Sequence, residues 1–372
     1  MLFYITDSLI VEKRDKRYAK IRTAIRNLLI GYSESKLMLL ADYKVLEWML
    51  KQFENDEDLI NPLKYLHVNY ATMGIPEELK YYWEIRSDIE SESKREDGDI
   101  IIFSIPYLMF LDSVSIQKCA LIGEDENDCI FYRYILDWYQ QYNNGNKINC
   151  DFQNEHGGGG RMEVKVAHYS HKYKPAFALV DTDDKYEGQV HSEQTTKQKC
   201  VKASRNHVCT FWLEVLSVHE VENLLPLNYV DKLEWNESNE NKKRAFDYLR
   251  NNAHSEMIFK YYDFKKGIHL KDVRNDSRFK AFAGICFYKN PELSSNQSFD
   301  KYISEKHDDD DIVYPALREN LLSQVLKIMK GNKFYMRDNP PELLEFQNDA
   351  WICIGSKMLS WGCVRNSEAI NT

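Results

Sequence analysis

What most constrains this chain is a pattern that recurs between residues 116 and 222: a short apolar run that stops at acidic residues. "CALI" gives way to "GEDEND", "FALV" to "DTDD", and the run ending near Val218 to "HEVEN". Apolar runs of this length, bounded by turn residues, suit strands buried on both faces, the kind a parallel sheet needs. The candidate strands are "KCALI", "EVKVAHY", "AFALV" and "CTFWLEVLSV", separated by helical or turn-rich segments. The expected fold is therefore α/β, with a mostly parallel, Rossmann-like sheet. In open sheets of this class ligands bind beyond the carboxyl ends of the strands, which is the edge where these acids stand.

The flanks read as mainly helical. "YAKIRTAIRNLLIGY" and "LMLLADYKVLEWMLKQF" carry apolar residues at three- and four-residue spacing. In "ALRENLLSQVLKIMKGN", Leu317, Leu321, Leu322, Val325, Ile328 and Met329 share one face and Gly331 is a natural stop. "RSDIESESKREDGD" reads as a solvated connection. These features predict a helical region over 1–115, a sheet-bearing domain over 116–275 and a helical region over 276–372. The longest apolar run, "IIIFSIPYLMFL", contains Pro106 and falls short of the roughly 20 residues that span a bilayer. It is expected to form a buried strand and turn, with no membrane partner.

At 372 residues and 43% hydrophobic, the chain can bury a substantial core. A formal charge of −9 excludes nucleic-acid binding by overall charge and leaves it to local basic patches. One such patch is "TTKQKCVKASRNH", where Lys197, Lys199, Lys202 and Arg205 occur without an acid and suit a phosphate-backbone contact. "KRDKRYAKIRTAIR" is a second, less informative one. The eight cysteines form no CxxC pair and no leader-like segment opens the chain, which suits a reduced, cytoplasmic protein.

The acids carry the functional argument. Glu124 sits where a strand ends and a helix begins, with Asp128 one turn further on. Asp181 and Asp183 follow the strand Phe177 to Val180, with an alternation that can direct both carboxylates to one edge. With Asp184 beside them, their repulsion is relieved best by a divalent cation, and hard oxygen ligands suit Mg²⁺ or Mn²⁺. Glu220 and Glu222 lie just past a third strand. Each cluster alone is explained by a helix dipole or an acidic turn; their recurrence at one edge is what points to a site. "HDDDD" at 307–311 reads as a solvated loop, and "GGGG" at 157–160 as a flexible turn lacking the P-loop lysine. His168 with His171, and Cys200 with His207 and Cys209, lack the second half of a zinc site.

"GEDEND", then a Gly-rich turn and strand, then "LVDTDD", is similar to the TOPRIM fold of topoisomerases, primases and OLD-family nucleases. "HEVENLLP" and "YYDFKKGIHL" look like segments of OLD-like and other defence-associated TOPRIM proteins. The resemblance covers less than half of the chain. It implies that Glu124, Asp128, Asp181 and Asp183 hold one or two Mg²⁺ or Mn²⁺ ions, that Glu220 or Glu222 completes a second site, and that Lys265 or Lys266 neutralises the scissile phosphate. The activity implied is a metal-dependent endonuclease acting on DNA or RNA, an antiphage effector working with a separate ATPase or sensor protein. The alternatives are a metal-dependent DxD glycosyltransferase and a catalytically inactive TOPRIM module for binding or regulation.

Overall fold

The computed structural model describes residues 1–142, 148–158, 161–189, 192–235, 239–251, 256–330 and 335–365. Gly159 and Gly160 of the expected turn, and the expected helix stop Gly331, lie outside the described residues. The chain divides into two compact units, each assembled from separated stretches. The first comprises Met1–Leu179, Cys200–Glu214 and Ile352–Thr372; the second comprises Val180–Lys199 and Val215–Trp351. Three consecutive domains over 1–115, 116–275 and 276–372 do not describe this division. Parallel neighbours in a sheet need long connections, and here the chain that leaves the sheet after residues 179 and 214 is long enough to form a unit of its own.

The first unit contains two sheets. Strands β1 (Leu2–Ile5), β2 (Met38–Ala41), β3 (Tyr81–Arg86), β4 (Ser93–Asp97) and β5 (Ile100–Pro106) pair in the order β2-β1-β3-β5-β4. All are parallel except β4, an exposed charged edge strand antiparallel to β5. Charge on such an edge discourages pairing with other chains. This sheet corrects the expectation of a mainly helical N-terminal region. Helices Tyr18–Ser33, Tyr43–Gln52 and Glu57–Val68 are present, but "MLLA" is a strand rather than the start of a helix. A four-residue apolar run has no period to read, and the extended backbone of Asp42 (φ −62°, ψ 152°) separates it from the helix that follows.

Strands β6 (Ala120–Gly123), β8 (Gln153–His156), β9 (Ala176–Val180) and β10 (Phe211–Val215) form the second sheet, in the order β10-β9-β6-β8; the two-residue β7 is Asn149–Cys150. β6 runs parallel to both β8 and β9, so the α/β class with a mostly parallel sheet is as expected. "EVKVAHY" is not a strand: it lies in the helix Met162–Ser170, whose buried Met162, Val166 and Tyr169 are spaced four and three apart. The fourth strand is instead the polar "QNEH", with no apolar run to announce it. Trp361 lies between the sheets, its ring centroid 4.9 Å from both Tyr81 and Trp83 and 5.8 and 5.5 Å from Phe177 and Trp212. Gly123 closes β6 because a Cβ there would meet Asp128 Cβ at 3.0 Å and Cys129 Sγ at 3.1 Å.

The second unit is mainly helical. Phe246, Phe259, Tyr262, Phe264 and Tyr314 form its aromatic core, with ring centroids 5.3 to 6.1 Å apart. Ile268–His269 pairs antiparallel with Ile312–Tyr314. Gly267 (φ 74°) precedes that ladder, and a Cβ there would lie 2.5 Å from both Ala316 N and Tyr314 O. No helix among the described residues is long and apolar enough to cross a membrane.

Candidate metal centre

The second unit opens with the acidic loop that leaves β9. Thr182 Oγ1 donates to Val218 O at 2.7 Å and accepts the Asp184 N–H at 3.0 Å, while the Asp183 N–H donates to His219 O at 3.0 Å. The loop at 181–184 is thereby fastened to the segment at 218–219. Asp183 adopts φ 56°, a left-handed conformation that aspartate tolerates better than most residues. The strand ends at Val180 and Asp183 leaves the extended conformation, so strand alternation does not continue through Asp181 and Asp183 as the sequence suggested. Asp184 is paired with Lys197, whose Nζ lies 3.0 and 3.3 Å from its two carboxylate oxygens. Lys197 is thus committed to the loop, whereas Lys199 is half-buried and Lys202 and Arg205 are exposed.

His219, Glu220 and Asp263 form a cluster whose candidate ligand atoms all lie within 4.8 Å of one another. His219 is 3% and Glu220 6% exposed. His219 Nδ1 must be the donor to Asp184 O at 3.1 Å, because a carbonyl only accepts. This fixes Nε2 as the atom facing Asp263 Oδ2, at 3.6 Å and without a hydrogen bond. The other Asp263 oxygen accepts the backbone N–H groups of Lys265 and Lys266 at 2.9 and 2.7 Å. The Lys265 ammonium lies 3.1 Å from Glu220 Oε2 and 3.3 Å from Glu222 Oε2. These are contacts of charge: both oxygens are buried and neither has an aligned hydrogen-bond partner.

The ionisation equilibria follow from this crowding. Burial raises the Glu220 pKa, and Lys265 opposes the rise only in part. Burial alone would lower His219, but Asp263, Glu220 and Asp183 outweigh it and the imidazole is raised. Burial works against ionised Asp263, yet His219 and the Lys266 N–H hold it below the usual carboxylate range. Burial would also lower Lys265, but Glu222, Glu220 and Asp181 raise it, so it stays an ammonium.

The cluster opens on a cleft of about 500 Å³ lined also by Asp183, Lys185, Lys266, Lys271 and the rings of Tyr261, Phe279 and Phe282. Phe279 and Phe282 stack at 5.8 Å. Lys185 and Lys271 are paired with Asp272 and Asp310, while Lys266 is exposed on the cleft wall.

Of the residues singled out in the sequence, Asp181, Asp183, Glu220, Glu222, Lys265 and Lys266 belong to this unit. Glu124 and Asp128 belong to the first unit, following β6, the strand adjacent to β9. Asp128 is buried and its Oδ2 accepts the Asp125 N–H at 2.9 Å, closing the turn into the helix Glu126–Tyr142. Glu124 adds to the burial that pushes the Cys200 thiol up to about 12. Sequence reasoning missed His219 and Asp263, although both stand inside the quoted segments "HEVENLLP" and "YYDFKKGIHL". The available signal was a histidine abutting the glutamate pair and an acid two residues before Lys265.

A divalent cation fits these residues by the chemistry of the donor set. His219 Nε2 is buried without a hydrogen-bond partner, and Glu220 Oε2 and Glu222 Oε2 meet only the Lys265 ammonium, at 3.1 and 3.3 Å and without an aligned hydrogen bond, so that each keeps lone pairs a cation could take. Two carboxylates and an imidazole match Mn²⁺ better than Mg²⁺, which prefers oxygen ligands. Comparison with protein-family models, with curated proteins and with solved structures finds no match to this chain.

Proposed function

We propose that the chain is a Mn²⁺- or Mg²⁺-dependent nuclease that hydrolyses phosphodiester bonds through a TOPRIM-like carboxylate site. The observation that carries this reading is the His219–Glu220–Asp263 cluster, its first two residues buried and the third half-buried, on the wall of a cleft that also presents lysine and aromatic side chains. His219, Glu220 and Asp263 would hold the ion, with Asp183 beside them in the same cleft. When bound, the cation supplies an activated water and offsets charge at the scissile phosphate. Lys266, exposed on the cleft wall, would hold a backbone phosphate, whereas Lys265 is engaged with Glu220 and Glu222. Tyr261, Phe279 and Phe282 are largely buried and give the cleft an apolar wall. The resemblance adds Glu124, Asp128 and Asp181 to the ion-binding set and an antiphage role with a separate ATPase or sensor as partner, and the basic stretch at 195–207 adds Lys202 and Arg205 as strand contacts.

The test is cleavage of supercoiled DNA, single-stranded DNA and total tRNA with Mn²⁺ or Mg²⁺, comparing wild type with Glu220→Gln, Asp181→Asn and Glu124→Gln. The expected result is that wild type cuts one class of substrate and each folded variant loses about 10²-fold or more. Equal cleavage by all four proteins overturns the assignment. Metal-dependent binding of a nucleotide sugar without cleavage favours the glycosyltransferase alternative instead.

A further inference from the structure

Within the first unit, and independent of the proposed nuclease site, a cation is buried with no carboxylate paired to it among the described residues. Arg365 follows the short strand Cys363–Val364, which pairs with β7, and its N–H donates to Leu37 O at 3.2 Å. The residue is 4% exposed. Its guanidinium carbon lies 4.5 Å from the centroid of the Tyr32 ring and 5.0 Å from that of Tyr65. Among the described residues, Nε, Nη1 and Nη2 have no hydrogen-bond partner, and neither does the buried Tyr32 hydroxyl. Both residues line a single cavity of about 490 Å³, a volume in the range of small-molecule sites.

Among the described residues no carboxylate pairs with this charge, although Glu77 and Glu78 line the same cavity. Burial pulls the Arg365 pKa down, and the opposing influences come from Tyr32 and Tyr65 rather than from a carboxylate. The two ring faces recover part of the cost of taking a guanidinium out of water. What remains unsatisfied is a planar fork of N–H donors with a phenol beside it, the arrangement that matches the paired oxygens of a carboxylate or phosphate. Beyond the fork the cavity is walled by Met38, Met73, Ile75 and Ile148, which no ionic ligand would use alone. Glu77, exposed where it lines the same cavity, disfavours a polyanion.

We infer that this cavity binds a small organic oxyanion, its carboxylate or phosphate head held by Arg365 and the Tyr32 hydroxyl and its apolar body lying against Met38, Met73, Ile75 and Ile148. The test is calorimetric titration of the full chain, in buffer free of phosphate and carboxylate, with hexanoate, hexyl phosphate and hexanol. These probes share a body and differ in the head. At least one of the two acids binds wild type at one site per chain, and the tighter of them identifies the head group. Arg365→Met weakens that binding at least tenfold. Tyr32→Phe, which keeps the ring under the guanidinium and so leaves the fold intact, weakens it severalfold. The inference is overturned if neither acid binds wild type, if hexanol binds as tightly as the acids, or if Tyr32→Phe and Arg365→Met both bind like wild type.

Discussion

Both units bury charge, and they do it in opposite ways. In the second unit acids and bases are crowded together, so that Lys265 balances Glu220 and Glu222 while His219 faces Asp263. In the first unit Arg365 stands between two tyrosine rings with no acid among the influences on its charge. The difference bears on what each site awaits. A crowded acidic cluster can exist by itself because its own cations stand in for an incoming one, whereas a lone guanidinium is left with its donors open until an anion arrives.

The comparison is broken most severely at Lys265. Lys265→Met leaves Glu220 and Glu222 buried without their ammonium and is expected to cost about 3–5 kcal/mol in urea unfolding. Saturating Mn²⁺, at a hundredfold excess over its Kd, should restore about 2.7 kcal/mol. A variant as stable as wild type would remove the electrostatic account of the cluster. Next in size is Thr182→Val, which removes the hydroxyl that ties the acidic loop to Val218 O and leaves that buried carbonyl and the half-buried Asp184 N–H without it. The expected loss is about 2 kcal/mol by the same measurement.

Arg365→Met should act in the other direction. With no ion pair to lose among the described residues, replacing the guanidinium by an apolar chain of similar length is expected to raise stability by about 1–2 kcal/mol in anion-free buffer. A loss of stability comparable to that of Lys265→Met would mean that the two sites are not opposites.

The sites should also respond differently to pH. Glu220 and His219 have raised pKa values in the fold, so the folded state holds protons that the unfolded chain releases. Stability is therefore lost as pH rises from the ordinary glutamate range through the Glu220 value, and again from about 6.5 upward through the His219 value. Asp263, lowered, acts oppositely: its contribution is present above 3.8 and lost as pH falls below that through its folded value. Urea midpoints in metal-free buffer should decline above neutral pH in wild type, and His219→Gln should flatten that decline. Arg365→Met should leave it unchanged. The smallest effect is expected at Asp183, where Asp183→Gly relieves the left-handed backbone. It should leave stability unchanged or raise it by up to about 1 kcal/mol while removing the carboxylate from the cleft.

How legible these features are in the sequence depends on whether neighbours in space are neighbours in the chain. β6 and β9 could be read because each is an unbroken apolar run, and the turn at Gly123 because the glycine is followed at once by acids and a helical period. "EVKVAHY" misleads because its valines favour strands, whereas Val164 is exposed and the helix buries Met162, Val166, Tyr169 and Ser170. β8 is invisible because an edge strand made of Gln, Asn, Glu and His carries no apolar signal. Glu220, Glu222 and Lys265 were found as members of recognisable segments. His219 and Asp263 were not, because their proximity to each other is made by the fold across 44 residues of chain, 263 less 219. Arg365 is harder still, since its seat is built from Tyr32 and Tyr65 and no local pattern joins them.

The central claim is that His219, Glu220 and Asp263 hold a divalent cation, and Mn²⁺ binding measured by electron paramagnetic resonance tests it most directly. The account predicts that wild type binds at least one Mn²⁺ per chain, and that Glu220→Gln and Asp263→Asn each weaken binding at least tenfold while their far-ultraviolet circular dichroism stays that of wild type. Equal Mn²⁺ binding by all three proteins, or none by wild type, would contradict it.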